Sequence, residues 1–316
     1  MSGANGPDFL AATPPRPGGV ASAQHHRSAI PVAPLSAVVL LLASVGGLVI
    51  FIWPLLISAE PQPQQHVSDA PFVFMAILPV LVLLVLTQLG DGGMDTKALA
   101  MLGVLAAVNA ALRPLGAGLN GIETVFFLLI LAGRVFGPGF GFLLGCTSLF
   151  ASALLTAGVG PWLPFQMLAA AWIGLGAGLL PRRMFGRPII GAAEIALLAG
   201  YGVLAAYVFG ALMNMWFWPF VTGNMSGDLA GLAYIPGGSI AENLHHFLVY
   251  TLLTSTIGWD TGRAVTNAIA IIVLGPAVLG VLRRSSHKAR FRPPVAFVAP
   301  PSTGSGGDDA GPARPT

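Results

Sequence analysis

The chain has 316 residues, of which 55% are hydrophobic and only 9% are charged, whereas about 25% of residues are charged in ordinary soluble domains. This composition excludes a water-soluble globular protein and predicts a chain whose main solvent is lipid, while a net charge of +3 is too small to indicate a nucleic-acid partner. The one cysteine, Cys146, excludes an intramolecular disulfide framework and a cysteine-based metal cluster, and we expect it to be a small buried hydrophobe.

The two ends of the chain differ from its middle. Residues 1–32 and 285–316 are rich in Pro, Gly, Ala and Ser and carry no periodic apolar pattern, so both are predicted to be disordered cytoplasmic tails. The first does not resemble a secretory signal, because the apolar run that follows it exceeds the roughly 7–15 residues of a signal-peptide core. We therefore interpret that run as a retained helix.

Apolar runs fill the middle of the chain and predict an all-α, polytopic transmembrane helical bundle. In chain order the predicted segments H1 to H9 are Pro34–Ile57, Phe72–Leu89 (kinked at Pro79), Ala98–Leu112, Thr124–Val135, Phe140–Ala157, Trp162–Leu180, Pro188–Leu212, Ile240–Ile257 and Ala264–Leu282. H3 and H4 are shorter than the roughly 17–25 residues that span a bilayer, so we expect both to extend into the flanking turns.

The basic residues predict the topology. With a cytoplasmic N-terminus, H1–H7 and H9 crossing and H8 re-entrant or interfacial, only Arg113 and Arg263 of the 15 basic residues lie outside, as the positive-inside rule favours. If H8 also crossed, the basic tail would lie outside. We therefore predict about eight crossings with both termini cytoplasmic, and we expect His245 and His246 to lie at the interface.

Small residues spaced by four occur on three of the predicted helices. This spacing lets helix backbones approach closely, either inside the bundle or against a second membrane protein, and the spacing alone does not separate these two readings. The three sets are Gly103, Ala107 and Ala111 on H3; Gly137, Gly141 and Gly145 leading into H5; and Ala170, Gly174 and Gly178 on H6.

Motifs for several enzyme chemistries do not occur in the sequence. With two lysines, Lys97 and Lys288, the chain has no phosphate-binding loop of the G-x-x-x-x-G-K-[ST] type and no H-E-x-x-H zinc motif. The only adjacent acidic pair lies in the C-terminal tail, at Asp308 and Asp309. Neighbouring histidines on a helix point about 100° apart, so His245 and His246 suit polar interfacial positions better than a shared metal. No catalytic residue, metal or cofactor is predicted.

Polar and aromatic residues gather in the segments that face outward in this topology. Such a mixture suits a small-molecule pocket, although an interfacial aromatic belt explains the tryptophans equally well. The predicted substrate-binding residues are Arg113, Asn120, Glu123, Trp162, Gln166, Asn214, Trp216, Trp218, Asn243, Trp259, Asp260 and Arg263.

Arg113 and Arg263 break the charge bias, and each has an acidic candidate partner. Asp260 and Arg263 are three residues apart and can pair on one helical turn. Arg113 can meet Glu123 across a short Pro-Gly loop. Each arginine therefore either forms a structural ion pair or captures a polar or anionic group of a ligand.

Several long strings resemble the substrate-binding (S) components of energy-coupling-factor (ECF) transporters, in their actinobacterial-type branch. They are GRVFGPGFGFLLGCTSLFASALLTAGVGPWLPFQMLAAAWIGLGAGLLP (133–181), MNMWFWPF (213–220), ENLHHF (242–247) and TSTIGWDTGRAVTNA (254–268). The resemblance covers about residues 95–285. It implies a six-helix core, 91–284, made of H3–H7 and H9, preceded by an extra hairpin, 33–90, that the minimal core lacks.

The resemblance also implies a function in the plasma membrane. S components bind a vitamin or other micronutrient on the outer side and work with a transmembrane T component and two ATPase subunits, so the chain itself would not be an enzyme. The family's A-x-x-x-A docking feature would fall on Ala107 and Ala111, and its gating loop on Leu115–Ile122. With Gly103 of the same stripe, these alanines are the predicted partner-docking residues. A water-soluble vitamin or precursor is implied, with cobalamin suggested by the branch.

Two alternatives stay open at this point. An intramembrane enzyme acting on lipid or prenyl substrates would need a nucleophile or metal-binding carboxylates at membrane depth. Glu194 is the only acidic residue well within a predicted helix, and one carboxylate is not a metal site. A scaffold subunit would use only the small-residue stripes and bind no ligand.

Overall fold

The computed structural model describes residues 34–52, 55, 80, 96–116, 122–221 and 227–290. Helices make up 84% of these residues, which confirms the mostly helical fold. The α-helices are α1 Pro34–Phe51, α2 Thr96–Leu112, α3 Val125–Phe136, α4 Pro138–Leu155, α5 Leu163–Leu179, α6 Ala192–Val221, α7 Ile240–Thr251 and α8 Thr261–Arg290. The other described elements are 3-10 turns at Arg113–Gly116 and Gly227–Leu232, a π-helix at Leu252–Asp260, and a hairpin of β1 Arg183–Met184 and β2 Arg187–Pro188.

Three continuous helical runs are long and apolar enough to cross a membrane. They are Pro138–Leu155, Ala192–Pro219 and Ile240–Ser286. The other described helices are apolar but shorter. Length and composition thus indicate membrane association, and the count of eight crossings stays a prediction.

Ion pairs define the two ends of the bundle. At one end Arg263 at the start of α8 meets Glu123, which precedes α3. At the other end Arg283 of α8 meets Glu194 at the start of α6, which also bonds Arg134 in the last turn of α3. We call these the Arg263 end and the Arg134 end. Every residue of α3 is buried, so α3 is the central helix of the described bundle.

The predicted extension of the short helices is half right. Helix α2 begins earlier than H3, at Thr96, and continues into a 3-10 turn as far as Gly116. Helix α3 does not extend: it has 12 residues and ends at Phe136, because the next residue, Gly137, has a φ of 109° that a residue with a Cβ rarely adopts. At 1.5 Å per residue α3 is about 18 Å long, and the surrounding helices bury it.

The packing of α3, α4 and α5 uses two of the small-residue stripes. A Cβ added to Gly141 would collide with the Gly174 carbonyl, and one added to Gly174 would collide with Gly141. A Cβ on Gly145 would lie 2.5 Å from the Cα of Ala171. These two stripes therefore serve internal packing, which is the close backbone approach that small residues permit. Cys146 is fully buried beside them, as expected.

Replacing Gly141 with valine is expected to destabilise the bundle by about 1–3 kcal/mol or more, because the new side chain must displace the α5 backbone. The thermal midpoint of the detergent-purified protein measures the effect. Gly103→Val is the matched control, since Gly103 is exposed and a Cβ there meets nothing within 4 Å. Equal midpoint losses in the two variants would contradict the packing assigned to Gly141.

The predicted segments H7, H8 and H9 have the wrong boundaries. Pro188 lies in β2 and α6 begins at Ala192, but α6 then continues past Leu212 to Val221. H8 and H9 are one uninterrupted helical run, so H8 is not a separate re-entrant element. The 47-residue stretch Ile240–Ser286 is about 70 Å long at 1.5 Å per residue. Because Arg263 pairs with Glu123 at one end of the bundle, the preceding helix α7 continues past that end, where it packs against α6.

Three further expectations fall at the edges of the described chain. Helix α8 continues to Arg290, so the prediction that a disordered tail starts at 285 is wrong for 285–290. Helix α1 ends at Phe51 rather than Ile57, and its Phe51 ring packs edge-on against Phe165 of α5 with 5.3 Å between the ring centroids. H2 lies outside the described residues except for Val80.

Candidate functional site

Arg263 organises a network of charges at the Arg263 end. Its Nε donates to Glu123 Oε2 at 2.5 Å, and its Nη1 donates to Asp260 Oδ1 at 2.8 Å. The predicted Asp260–Arg263 pair is therefore confirmed, and Glu123 joins it from 140 residues away in the chain. One guanidinium thus compensates two carboxylates at the meeting point of α3, α6 and α8.

Asp260 is fully buried, at the last position of the π-helix. Ser255 Oγ donates to its second carboxylate oxygen at 2.9 Å. Gly210 of α6 lies directly opposite, since a Cβ added there would collide with the Asp260 carboxylate. A π-turn widens a helix locally and is frequent at functional sites. Here it lets a carboxylate lie against the backbone of α6.

Two phenylalanines lie beside the Arg263 guanidinium. Its central carbon is 4.9 Å from the ring centroid of Phe209 and 5.8 Å from that of Phe126, and the two ring centroids are 4.8 Å apart. A cation over an aromatic face is stabilised by the ring quadrupole, more strongly where water is excluded. The guanidinium is thereby fixed on its apolar side as well as by its two carboxylates.

Arg113 lies near this network but pairs differently from the prediction. Its Nη2 donates to Gln166 Oε1 at 2.8 Å, while the Glu123 carboxylate is taken by Arg263. Burial lowers the pKa of the Arg113 guanidinium, the Glu123 carboxylate opposes that shift, and Arg263 adds to it. A guanidinium stays protonated in proteins regardless. Arg113 is thus a largely buried cation whose direct side-chain partner is a neutral amide.

Two amides near the network keep a buried polar atom without a hydrogen-bond partner in the described chain. Asn267, one turn after Arg263, donates from Nδ2 to the carbonyl oxygens of Glu123 and Arg263 at 3.1 and 2.8 Å, but its Oδ1 has no partner. Asn214, one turn after Gly210, has an unpartnered Nδ2. Such atoms cost free energy unless something satisfies them. Among the described residues, one acceptor and one donor near the network therefore have no hydrogen-bond partner.

The structure brings together Arg113, Glu123, Gln166, Asp260 and Arg263, and it places Asn214 one turn from Gly210. The other predicted residues lie elsewhere. Trp216 is buried and stacks on Phe165 with 4.4 Å between the ring centroids. Trp162 and Trp259 are exposed, and Asn120 lies outside the described residues.

Trp218 and Asn243 have structural contacts instead. Trp218 is fully buried and donates to the carbonyl oxygen of Leu232 at 2.9 Å. The Asn243 side chain accepts from the backbone N–H of Ile235 at 2.8 Å and donates to its carbonyl at 2.9 Å. These hydrogen bonds hold the connection between α6 and α7 against the two helices.

Sequence reasoning missed Asn267, Ser255, Phe209 and Gly210. Asn267 follows Arg263 by four residues and so lies on the same helical face, a signal the sequence did contain. Ser255 precedes Asp260 by five residues, a spacing that meets only in a π-helix. Gly210 and Phe209 carry no local signal, because their roles come from α6 packing against α8.

A second charged cluster lies at the Arg134 end. Arg134 is 2% exposed and donates from Nε to Glu194 at 2.8 Å and from Nη1 to the carbonyls of Leu180 and Pro181. Glu194 also accepts from Arg283 at 2.6 Å. Glu194 lies in the first turn of α6 and not deep in a helix as predicted. With two arginine partners its carboxylate joins three helices, and no free base remains there.

Metal chemistry receives no support from either cluster. Across the part of the chain that the structure describes, no three His, Cys, Asp or Glu side chains come together as metal ligands. His246 Nδ1 lies 3.0 Å from the Ala233 carbonyl, and His245 is exposed.

No protein-family model, curated protein or solved structure matches the chain.

Proposed function

We propose that the chain is the substrate-binding subunit of an ECF-type importer that captures a small, water-soluble molecule at the Arg263 end. One observation carries the proposal: Arg113, Glu123, Gln166, Asp260 and Arg263 converge at one end of an apolar helical bundle, with Asn214 and Asn267 each leaving a buried polar atom unsatisfied. Ionisable groups within apolar helical bundles are costly and mark substrate pathways by default. The strings 133–181 and 254–268, which carry the family resemblance, contribute many of these residues.

The proposed topology places the Arg263 end outside the cell and the Arg134 end in the cytoplasm, with eight crossings in the plasma membrane. Arg134, Arg182, Arg183, Arg187, Arg283 and Arg284 then lie at the cytoplasmic end, as the positive-inside rule favours. The uninterrupted helix from Ile240 to Arg290 supports a single crossing after residue 240. The eight helices would comprise the extra hairpin and the six-helix core.

The proposed contact with a T component uses the third small-residue stripe. Gly103, Ala107 and Ala111 are exposed along α2, whereas Ala106, Asn109 and Ala110 on its other face are buried. The small residues of the α4 and α5 stripes already contact each other inside the bundle. Among the described residues, α2 therefore offers the small-residue face suited to close approach of another helix. The T component and two ATPases complete the proposed complex.

The decisive test is mass spectrometry of small molecules retained after gentle detergent purification, comparing the wild type with Arg113→Gln. A water-soluble micronutrient should accompany the wild type, with cobalamin tested first. Because a hydrogen bond from a charged donor such as Arg113 contributes about 1.5–3 kcal/mol, Arg113→Gln should weaken ligand affinity by about tenfold or more.

Lys97→Gln is the matched control, since it removes an exposed cation from the other end of α2. Its affinity should equal that of the wild type. A wild-type protein that retains no small molecule and never co-purifies with a T component would contradict the proposed function. Equal affinities of wild type and Arg113→Gln would contradict the role of Arg113 alone.

The two alternatives have less support. An intramembrane enzyme would need an available carboxylate, but Glu194 is paired with two arginines and Asp260 with Arg263. A scaffold would need only the small-residue stripes, and two of those three stripes pack inside the bundle.

A further inference from the structure

The connection between α5 and α6 forms a β-hairpin with an apolar tip. Met184 pairs with Arg187, and Phe185 and Gly186 make the two-residue turn. Both turn residues have positive φ, 51° for Phe185 and 76° for Gly186, as in the primed turns that match the twist of paired strands. The Phe185 side chain is 95% exposed and that of Met184 is 58% exposed. The hairpin thus presents two large apolar side chains away from the described bundle.

Phenylalanine is an unfavourable choice for this position. The first residue of such a turn is normally Asn, Asp or Gly, because a bulky side chain is strained at positive φ. No contact within the described chain compensates Phe185 for that strain, since its side chain is almost wholly exposed. A strained residue that the fold does not hold in place points to a contact outside the fold.

Arginines surround this apolar tip. Arg183 and Arg187 lie on the two strands and are exposed. Arg182 fixes the base of the hairpin, because it donates to the Arg134 carbonyl oxygen at 2.9 Å and its own carbonyl accepts from Ile189. Arg283 reaches the same end of the bundle through Glu194. The hairpin therefore has an apolar tip, and positively charged side chains lie on its strands and where it joins the bundle.

We infer that this hairpin, residues 182–188, is a membrane anchor that inserts Phe185 and Met184 into the bilayer interface and binds anionic phospholipid headgroups through Arg183 and Arg187. It joins the apolar helix α5 to the candidate span Ala192–Pro219, so its base lies at the membrane boundary. Interfacial segments bury Phe and other large apolar side chains at the boundary between headgroups and acyl chains. Guanidinium groups match phosphate geometry, and the positive charge complements an anionic leaflet.

The first test measures lipid retention by the full chain in nanodiscs of phosphatidylcholine with or without phosphatidylglycerol. Native mass spectrometry of the released protein should show phosphatidylglycerol bound in preference to phosphatidylcholine. The double variant Arg183→Gln/Arg187→Gln should lower that retention about tenfold. The matched control, Lys97→Gln/Arg284→Gln, removes two exposed charges from the same end and should lower retention much less, because neither side chain lies on the hairpin. Equal losses in both variants would overturn the assignment of headgroup binding to the hairpin.

The second test measures the depth of the tip. Cys146 is fully buried, so a Met184→Cys variant carries one accessible thiol among the described residues for an environment-sensitive fluorophore. Brominated lipids should quench that label, and aqueous iodide should not. Adding Phe185→Ser should reverse the two quenching efficiencies without changing the elution volume of the protein. A label that iodide quenches in the presence of Phe185 would overturn the insertion of the tip.

Discussion

Replacing Glu194 with alanine is expected to destabilise the protein by about 3–5 kcal/mol, because it leaves a buried cation without its carboxylate. Arg134 is 2% exposed, and Glu194 is its acidic partner at 2.8 Å. The carbonyls of Leu180 and Pro181 remain after the substitution, but they do not neutralise a full charge. The thermal midpoint in detergent, or the denaturant midpoint, measures the loss.

Two further variants show whether the loss of stability comes from burial of the ion pair or from its charge alone. Arg283→Ala removes the other partner of Glu194, but Arg283 is 45% exposed, so its loss should cost only about 0–1 kcal/mol as for a surface pair. The double variant Arg134→Met/Glu194→Ala should recover part of the stability, since apolar replacement of a buried pair is often nearly neutral. Recovery should be incomplete, because Arg134 also satisfies two carbonyls of the α5 terminus. If Glu194→Ala and Arg283→Ala had equal effects, the buried position of Glu194 would not be the cause.

Much of the architecture follows from composition and local spacing. The apolar runs predicted helices in the right regions because helix is one of only two ways to satisfy backbone groups in lipid. The spacing of Asp260 and Arg263 predicted their ion pair because residues three apart share a helical face. The small-residue stripes predicted close helix packing. Such features depend on a few neighbouring residues, which a sequence displays directly.

The errors arise where distant elements decide the outcome. The apolar pattern placed H8 and H9 as separate segments on either side of residues 258–263, but α6 packs alongside and the helix continues through a π-segment. The charge count placed Arg134 at the cytoplasmic end of H4, but nothing near it in the sequence indicated its partner Glu194, 60 residues later. Glu123 was expected to pair with Arg113 across a loop, but it pairs with Arg263 of α8 instead. No local pattern encodes these partners.

The pairing of Arg263 gives the second large expected effect. Arg263→Met should destabilise the protein by about 3–5 kcal/mol, because the buried Asp260 and the nearby Glu123 lose the cation that compensates both. The triple variant Glu123→Gln/Asp260→Asn/Arg263→Met removes the two stranded charges and should regain a large part of that stability. The thermal midpoints of the wild type, the single variant and the triple variant measure this difference.

Ligand affinity should follow a different order from stability in the same series. If the network binds a ligand, the triple variant regains stability but stays deficient in binding, because the charges that contact the ligand are absent. Gly210→Ala provides a control that keeps every charge, since its Cβ collides with the Asp260 carboxylate and displaces it. This variant should lose affinity in proportion to that displacement while Arg263 keeps its pair with Glu123. A triple variant that regained both stability and affinity would mean that the network is purely structural, and the binding site would then have to be sought elsewhere in the bundle.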